Sequence, residues 1–146
     1  MKTLLLVLFF ALPLHAEIRG GVRIGSYQGN IAGTVEIEAR RGNWSFAPAV
    51  DIIRGNYDLH VVHVDVRRLF PIGRTTSWIG VGPTFVRSNV FGSENTWNVD
   101  AGLALRTKSA WEPFVAARYY TYDLSVYRDE IKGTGGVISI GISRRF

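Results

Sequence analysis

GGVISIGISRRF, residues 135–146, alternates without a break: Val137, Ser139, Gly141, Ser143 and Arg145 fall on one side, Ile138, Ile140, Ile142, Arg144 and Phe146 on the other. A period of two is the pattern of a β-strand. A chain that ends on such a strand leaves an open edge of unpaired backbone groups unless something pairs with it. Closure of a barrel against the first strand is the expected solution.

Working back from that strand, the same alternation recurs in segments 18–27, 30–40, 44–52, 59–70, 77–87, 96–107 and 111–122, separated by Gly, Asn and Pro signals. No segment after residue 16 carries a helical stripe. The eight segments share a two-sided character. One face holds residues such as Ile18, Val22, Ile24, Val35, Ile37, Val62, Val66, Val99 and Leu103. The other holds Arg19, Arg23, Glu36, Glu38, Asp51, His63, Asp65, Arg67, Asp100, Arg106 and Arg118.

A two-residue turn at Gln28-Gly29 sets Arg19 opposite Glu38 and Arg23 opposite Thr34, so the charged faces of the first two strands coincide. Such a face is either a solvated sheet surface or a polar lumen. Segment 77–87 is ambiguous, because Trp78 falls on its small-residue side and Pro83 on its large one; a bulge is expected there. Pro48 in segment 44–52 costs a ladder hydrogen bond.

Connections two, four and six, at 41–43, 71–76 and 108–110, are short. Those at 54–58, 87–95 and 123–135 are longer and read as loops at the opposite end. Trp44, Trp78 and Trp111 open strands at the short-turn end, where Phe70 and Phe146 close others; Trp97, Tyr119, Tyr120 and Tyr122 gather at the far end. Two aromatic bands around an aliphatic span match interfacial girdles, and short turns at one end with long loops at the other match a membrane barrel.

On these residues the chain resembles the small eight-stranded outer-membrane β-barrels of bacteria. Their C-terminal assembly signal is matched by Ser139, Gly141 and Phe146, with a departure at Arg144, where an apolar residue is usual. The resemblance implies an all-β, antiparallel up-and-down transmembrane barrel with both termini in the periplasm of a Gram-negative cell. It also implies contact with outer-membrane lipid and lipopolysaccharide, and recognition of the last strand by the β-barrel assembly machinery. Some members are lipid A deacylases that use a late His-x-Ser pair. Here the corresponding stretch, after Arg118-Tyr119-Tyr120, reads Thr121-Tyr122-Asp123-Leu124-Ser125, so no triad residue carries over.

The remaining features bound the function. Residues 1–16, MKTLLLVLFFALPLHA, have the layout of a secretory signal peptide and fall short of the roughly 20 apolar residues of a spanning helix. Domain organisation is therefore a leader at 1–16 and one barrel at 17–146. With Lys2 removed, 16 of the 17 basic residues face 12 acidic ones, a net charge of +4. These charges are dispersed through strands of an exported chain, which argues against nucleic acid. Cysteine is absent, so no disulfide supplements the core.

No cofactor or metal is expected. His60 and His63 lie three apart on a strand and point to opposite faces. His63 and Asp65 share a face, either as a base with its orienting carboxylate or as part of a polar network with Arg67. Three readings follow: a structural or surface-interaction barrel acting through its outer loops toward an unknown extracellular ligand, a lipid A-modifying hydrolase using His63 or Ser125, and a periplasmic lipocalin-like barrel. The last requires the charged face to be outside.

Overall fold

The computed structural model describes residues 16–55, 58–90, 92–126 and 129–146, with side chains outside 122–134. The expected leader lies, up to residue 15, outside the described residues, as do Asn56 and Tyr57 of connection 54–58. Every regular element described is a strand: β1 Glu17–Tyr27, β2 Asn30–Arg41, β3 Trp44–Arg54, β4 Leu59–Ile72, β5 Thr75–Ser88, β6 Gly92–Leu105, β7 Trp111–Val126 and β8 Asp129–Arg145. Each pairs antiparallel with its neighbours, and β8 returns to β1 to close the barrel.

Closure runs from Arg19 opposite Arg145 to Tyr27 opposite Val137, and the Phe146 amide donates to the Ile18 carbonyl at 3.0 Å. The last strand thus has no open edge. In the first hairpin Arg19 faces Glu38 and Arg23 faces Thr34, the register that a two-residue turn imposes. Gln28 and Gly29 both take positive φ, 47° and 81°, as a type I′ turn requires.

Segment 77–87 contains no bulge. The β4–β5 and β5–β6 ladders keep one register from end to end, which turns Trp78 inward and Pro83 outward. Gly102 lies opposite Trp78, and a Cβ there would overlap the indole ring and the Val115 carbonyl. The small residue across the ladder is what makes room for a large one inside. At Pro48 the β2–β3 ladder skips from the Glu36–Ala49 pair to the Ala39–Phe46 pair, while Pro48 stays aligned with Val64 of β4.

The two ends differ in height. At the end that carries the termini, Gly42 and Gly73 take positive φ in tight turns. At the far end β5 and β6 pair up to Ser88–Gly92, and β7 and β8 up to Val126–Asp129. This corrects the reading of 87–95 and 123–135 as loops: residues 87–88, 92–95, 123–126 and 129–135 continue the strands. The β6–β7 ladder spans only Asn98–Tyr120 to Ala104–Phe114, and β1 pairs with β8 no further than Val137. The β7–β8 hairpin therefore rises beyond the barrel wall as an arm of its own, whereas β5 stays paired to β4 up to Leu59–Ser88 and only the far end of β6 lacks a partner on its β7 side. The backbone groups of these extensions still require partners and find them across each hairpin.

Candidate functional site

Strand parity decides what enters the lumen. β1 carries Arg19 and Arg23 inward, β2 Glu36 and Glu38, β3 Asp51, β4 His63, Asp65 and Arg67, β6 Asp100 and β7 Arg118; all are buried. The intervening aliphatic residues Val22, Ile24, Val35, Ile37, Ile138 and Ile140 are exposed on the outside. The barrel is inside-out relative to a water-soluble fold.

Arg67 is the hub of the lumen. Its guanidinium donates to both Glu36 oxygens at 2.8 and 2.6 Å. Its Nε lies 2.6 Å from Asp100 Oδ2, an ion-pair contact off the N–H axis, and its plane lies over the Trp78 ring at 5.4 Å. One β4 side chain thereby ties β2 to β6. Arg118 on β7 reaches across the lumen to Asp65 at 2.6 Å and Asp51 at 3.2 Å, bracing the opposite wall. Arg23 sits between Glu36 and Asp100, 3.7 Å from each, and Arg19 bonds Glu112 and Glu17 nearer the termini.

Asp51 also takes His63 Nε2 at 2.9 Å, while His63 Nδ1 meets Thr84 Oγ1 at 2.9 Å. Asn98 Nδ2 lies 2.8 Å from Asp65 and 2.9 Å from the same Thr84 hydroxyl. Hydroxyl, imidazole and carboxylate therefore stand in line, the order of a nucleophile, a base and its orienting group. Enclosure rules out attack from this line: His63 and Asp51 are 0% exposed, and Asn98 occupies the hydroxyl. Among the described residues no cluster of His, Cys, Asp or Glu has the makings of a metal site.

Four arginines and six carboxylates are buried in this interior, with Arg40 at its edge, 2.8 Å from Glu38, as a further cation. Taking such charges out of water costs several kcal/mol per ion unless each is paired. Sharing accomplishes this here: Asp65 and Asp100 each face two or more arginines, and Asp51 faces Arg118 together with the His63 imidazole. Apolar layers seal both sides. Toward the far end lie Tyr27, Ile53, Leu59, Val61, Val86 and Tyr120, with Tyr27 and Tyr120 stacked at 5.9 Å; toward the termini lie Leu69, Trp78, Ala104 and Phe114.

Several placements differ from the sequence reading. Arg106 shares parity with Asp100 but is exposed, because β6 ends at Leu105 and the following backbone turns to donate from Arg106 N to the Arg74 carbonyl. Trp78 is not an interface residue: it is buried, and its Nε1 donates to Asp100 at 2.9 Å. Tyr120 also faces inward, and Tyr122 lies among the side chains not described. Thr84, Asn98 and Glu112 belong to the network; Asn98 and Glu112 were legible by parity, since they share a face with Asp100 and Arg118, whereas Thr84 lies on the segment of ambiguous facing. The apolar layers were legible the same way, in Ile53, Leu59 and Val61.

Outside, Trp44, Phe70, Trp111 and Phe146 are exposed at the terminal end, and Trp97 and Tyr119 toward the other. Ser139 points inward and donates to the Ala116 carbonyl at 3.4 Å, and Gly141 fits against Phe114 and Arg23. The departure at Arg144 has a physical account: its guanidinium lies 5.5 Å from the Trp111 and Phe146 ring centroids. Arg68 covers Trp44 in the same way at 5.0 Å. A stacked arginine keeps its stem on an apolar wall and its donors near water.

Sequence comparison finds no matching family model and no matching curated protein. Solved structures share the fold. The N-terminal β-barrel domain of Pseudomonas aeruginosa OprF superposes with a TM-score of 0.69 at 10% identity, over 90% of this chain and 100% of that one. Neisserial surface protein A gives 0.66 at 11% identity, covering 90% and 96%. The outer-membrane enzyme PagL gives 0.60 at 10% identity, covering 86% and 98%. The chain has the eight-stranded fold of these outer-membrane barrels.

Proposed function

We propose that the chain is an integral outer-membrane barrel, exported by removal of residues 1–16, with a filled lumen and an exposed pair of hairpins for contact with surface partners. One observation carries this reading: the wall is apolar outside and ionic inside. Val22, Ile24, Val35, Ile37, Ile138 and Ile140 project outward between aromatic bands. A soluble monomer rarely exposes an apolar surface of that extent, whereas hydrocarbon requires it and also requires the closed backbone pairing seen here. The periplasmic lipocalin-like alternative requires the reverse facing.

Both termini and the tight turns then lie in the periplasm, and the β7–β8 arm and the tip of the β5–β6 hairpin face outward from the cell. Outer-membrane lipid and lipopolysaccharide surround the wall. The outward row Ile138, Ile140, Ile142 and Phe146 supports engagement of β8 by the β-barrel assembly machinery. An enzymatic role is disfavoured by the enclosure of His63. The stacked Tyr27–Tyr120 pair and the fully buried ionic layer argue against a diffusion pore.

The test is fractionation of the expressed full-length chain, with electrophoretic mobility compared before and after boiling. Recovery in the outer membrane with a heat-shifted band is expected. Recovery as a soluble periplasmic protein refutes the proposal.

A further inference from the structure

The terminal end of the barrel is not flush. A recess of about 270 Å³ opens there, lined among others by Arg19, Arg40, Arg41, Thr76, Arg106 and Glu17. Its arginines are not equivalent. Arg19 is held by Glu112 and Glu17, and Arg40 by Glu38. Arg41, at the end of β2, and Arg106, just past β6, line the same recess without an ion pair or side-chain hydrogen bond among the described residues. Two strand ends far apart in sequence thus bring two uncommitted guanidinium groups to one concave site.

From this we infer that the recess is a binding site for a small phosphate monoester. Planar guanidinium forks match phosphate oxygens, and two uncommitted cations balance the charge of about −1.5 to −2 that a monoester carries near neutral pH. The volume lies just under the roughly 300–1,000 Å³ of pockets for drug-sized ligands, which restricts the organic group to a few atoms. The inference goes beyond the membrane reading and rests on the recess alone; in the proposed orientation the site faces the periplasm.

The test is titration calorimetry of the folded mature barrel in an uncharged detergent, with glycerol 3-phosphate as the probe and the heat-shifted band as a separate check of folding. Saturable binding is expected, weakened about tenfold or more by Arg41→Gln and by Arg106→Gln, the scale of one lost charge-assisted hydrogen bond. Arg74→Gln removes the same charge from an exposed turn residue outside the recess and should change affinity by less than about twofold. Absence of saturable binding overturns the inference. So does an equal loss in Arg74→Gln, which marks a diffuse basic field, or displacement of the probe by phosphatidylglycerol at equal concentration, which marks a lipid diester site.

Discussion

Replacing Arg67 by Met removes the hub of the lumen at nearly constant length. Glu36 loses both donors, at 2.8 and 2.6 Å, and Asp100 loses its contact at 2.6 Å, leaving Arg23 at 3.7 Å as the nearest cation to either. Breaking a buried ion pair from one side costs about 3–5 kcal/mol, mostly the penalty of the stranded charge. With a urea slope of about 2 kcal/mol per molar, a loss of about 4 kcal/mol lowers the unfolding midpoint by about 2 M. Urea unfolding of the barrel in detergent, followed by tryptophan emission, measures this directly. If the stranded carboxylate is the cause, adding Glu36→Gln to Arg67→Met restores at least about 1 kcal/mol, although Glu36→Gln alone is destabilising. A midpoint shift equivalent to less than about 1 kcal/mol, or strictly additive losses in the double variant, refutes the braced-lumen argument.

Tryptophan facing is testable in reconstituted membranes. Brominated acyl chains should quench Trp44, Trp97 and Trp111, which are exposed on the wall, and leave a blue-shifted residual emission that disappears in Trp78→Phe. The same substitution removes the N–H donor to Asp100 Oδ2 and should cost about 1–3 kcal/mol in urea unfolding. Replacing 123–134 by a two-residue turn should leave the heat-shifted band intact, because β7 and β8 pair with each other alone beyond the wall; loss of the band assigns this hairpin to the barrel itself.

Much of the fold was legible because a closed barrel imposes one rule on every strand. Parity along β1, β2, β4 and β8 sorts residues onto two faces without knowledge of distant contacts, the aromatic bands and turn lengths say which face is outward, and the Gln28-Gly29 turn fixes the first register. The failures have one origin each. Parity has no meaning past a strand end, so Arg106 was placed inside. It also carries no size information, so Trp78 suggested a bulge until Gly102 across the ladder was seen to make room for it. The far strand extensions were not legible because Asn89, Gly92 and Asn95 in 87–95 and Gly133 and Gly135 in 123–135 are loop signals, which pairing across each hairpin overrides. The partners of Arg67 and Arg118 were not readable at all: they lie on strands two to four positions away around a wall whose curvature no local pattern encodes.

The layering of the lumen bears on why the charges are there. An ionic layer in contact with water would be screened and would hold the strands loosely. Here Tyr27, Tyr120, Val61 and Val86 lie on one side of it and Leu69, Trp78 and Phe114 on the other. Within those seals each guanidinium binds carboxylates on other strands, with partners fixed by geometry, so a slip of one strand by a residue would strand several charges at once. An apolar filling would tolerate that slip more readily. Register specificity is thus a reason for a filled barrel to retain a costly buried network, and it requires no ligand in the lumen. In the function and the recess site proposed here, recognition is left to the two ends: the outer hairpins on one side, and the recess with Arg41 and Arg106 on the other.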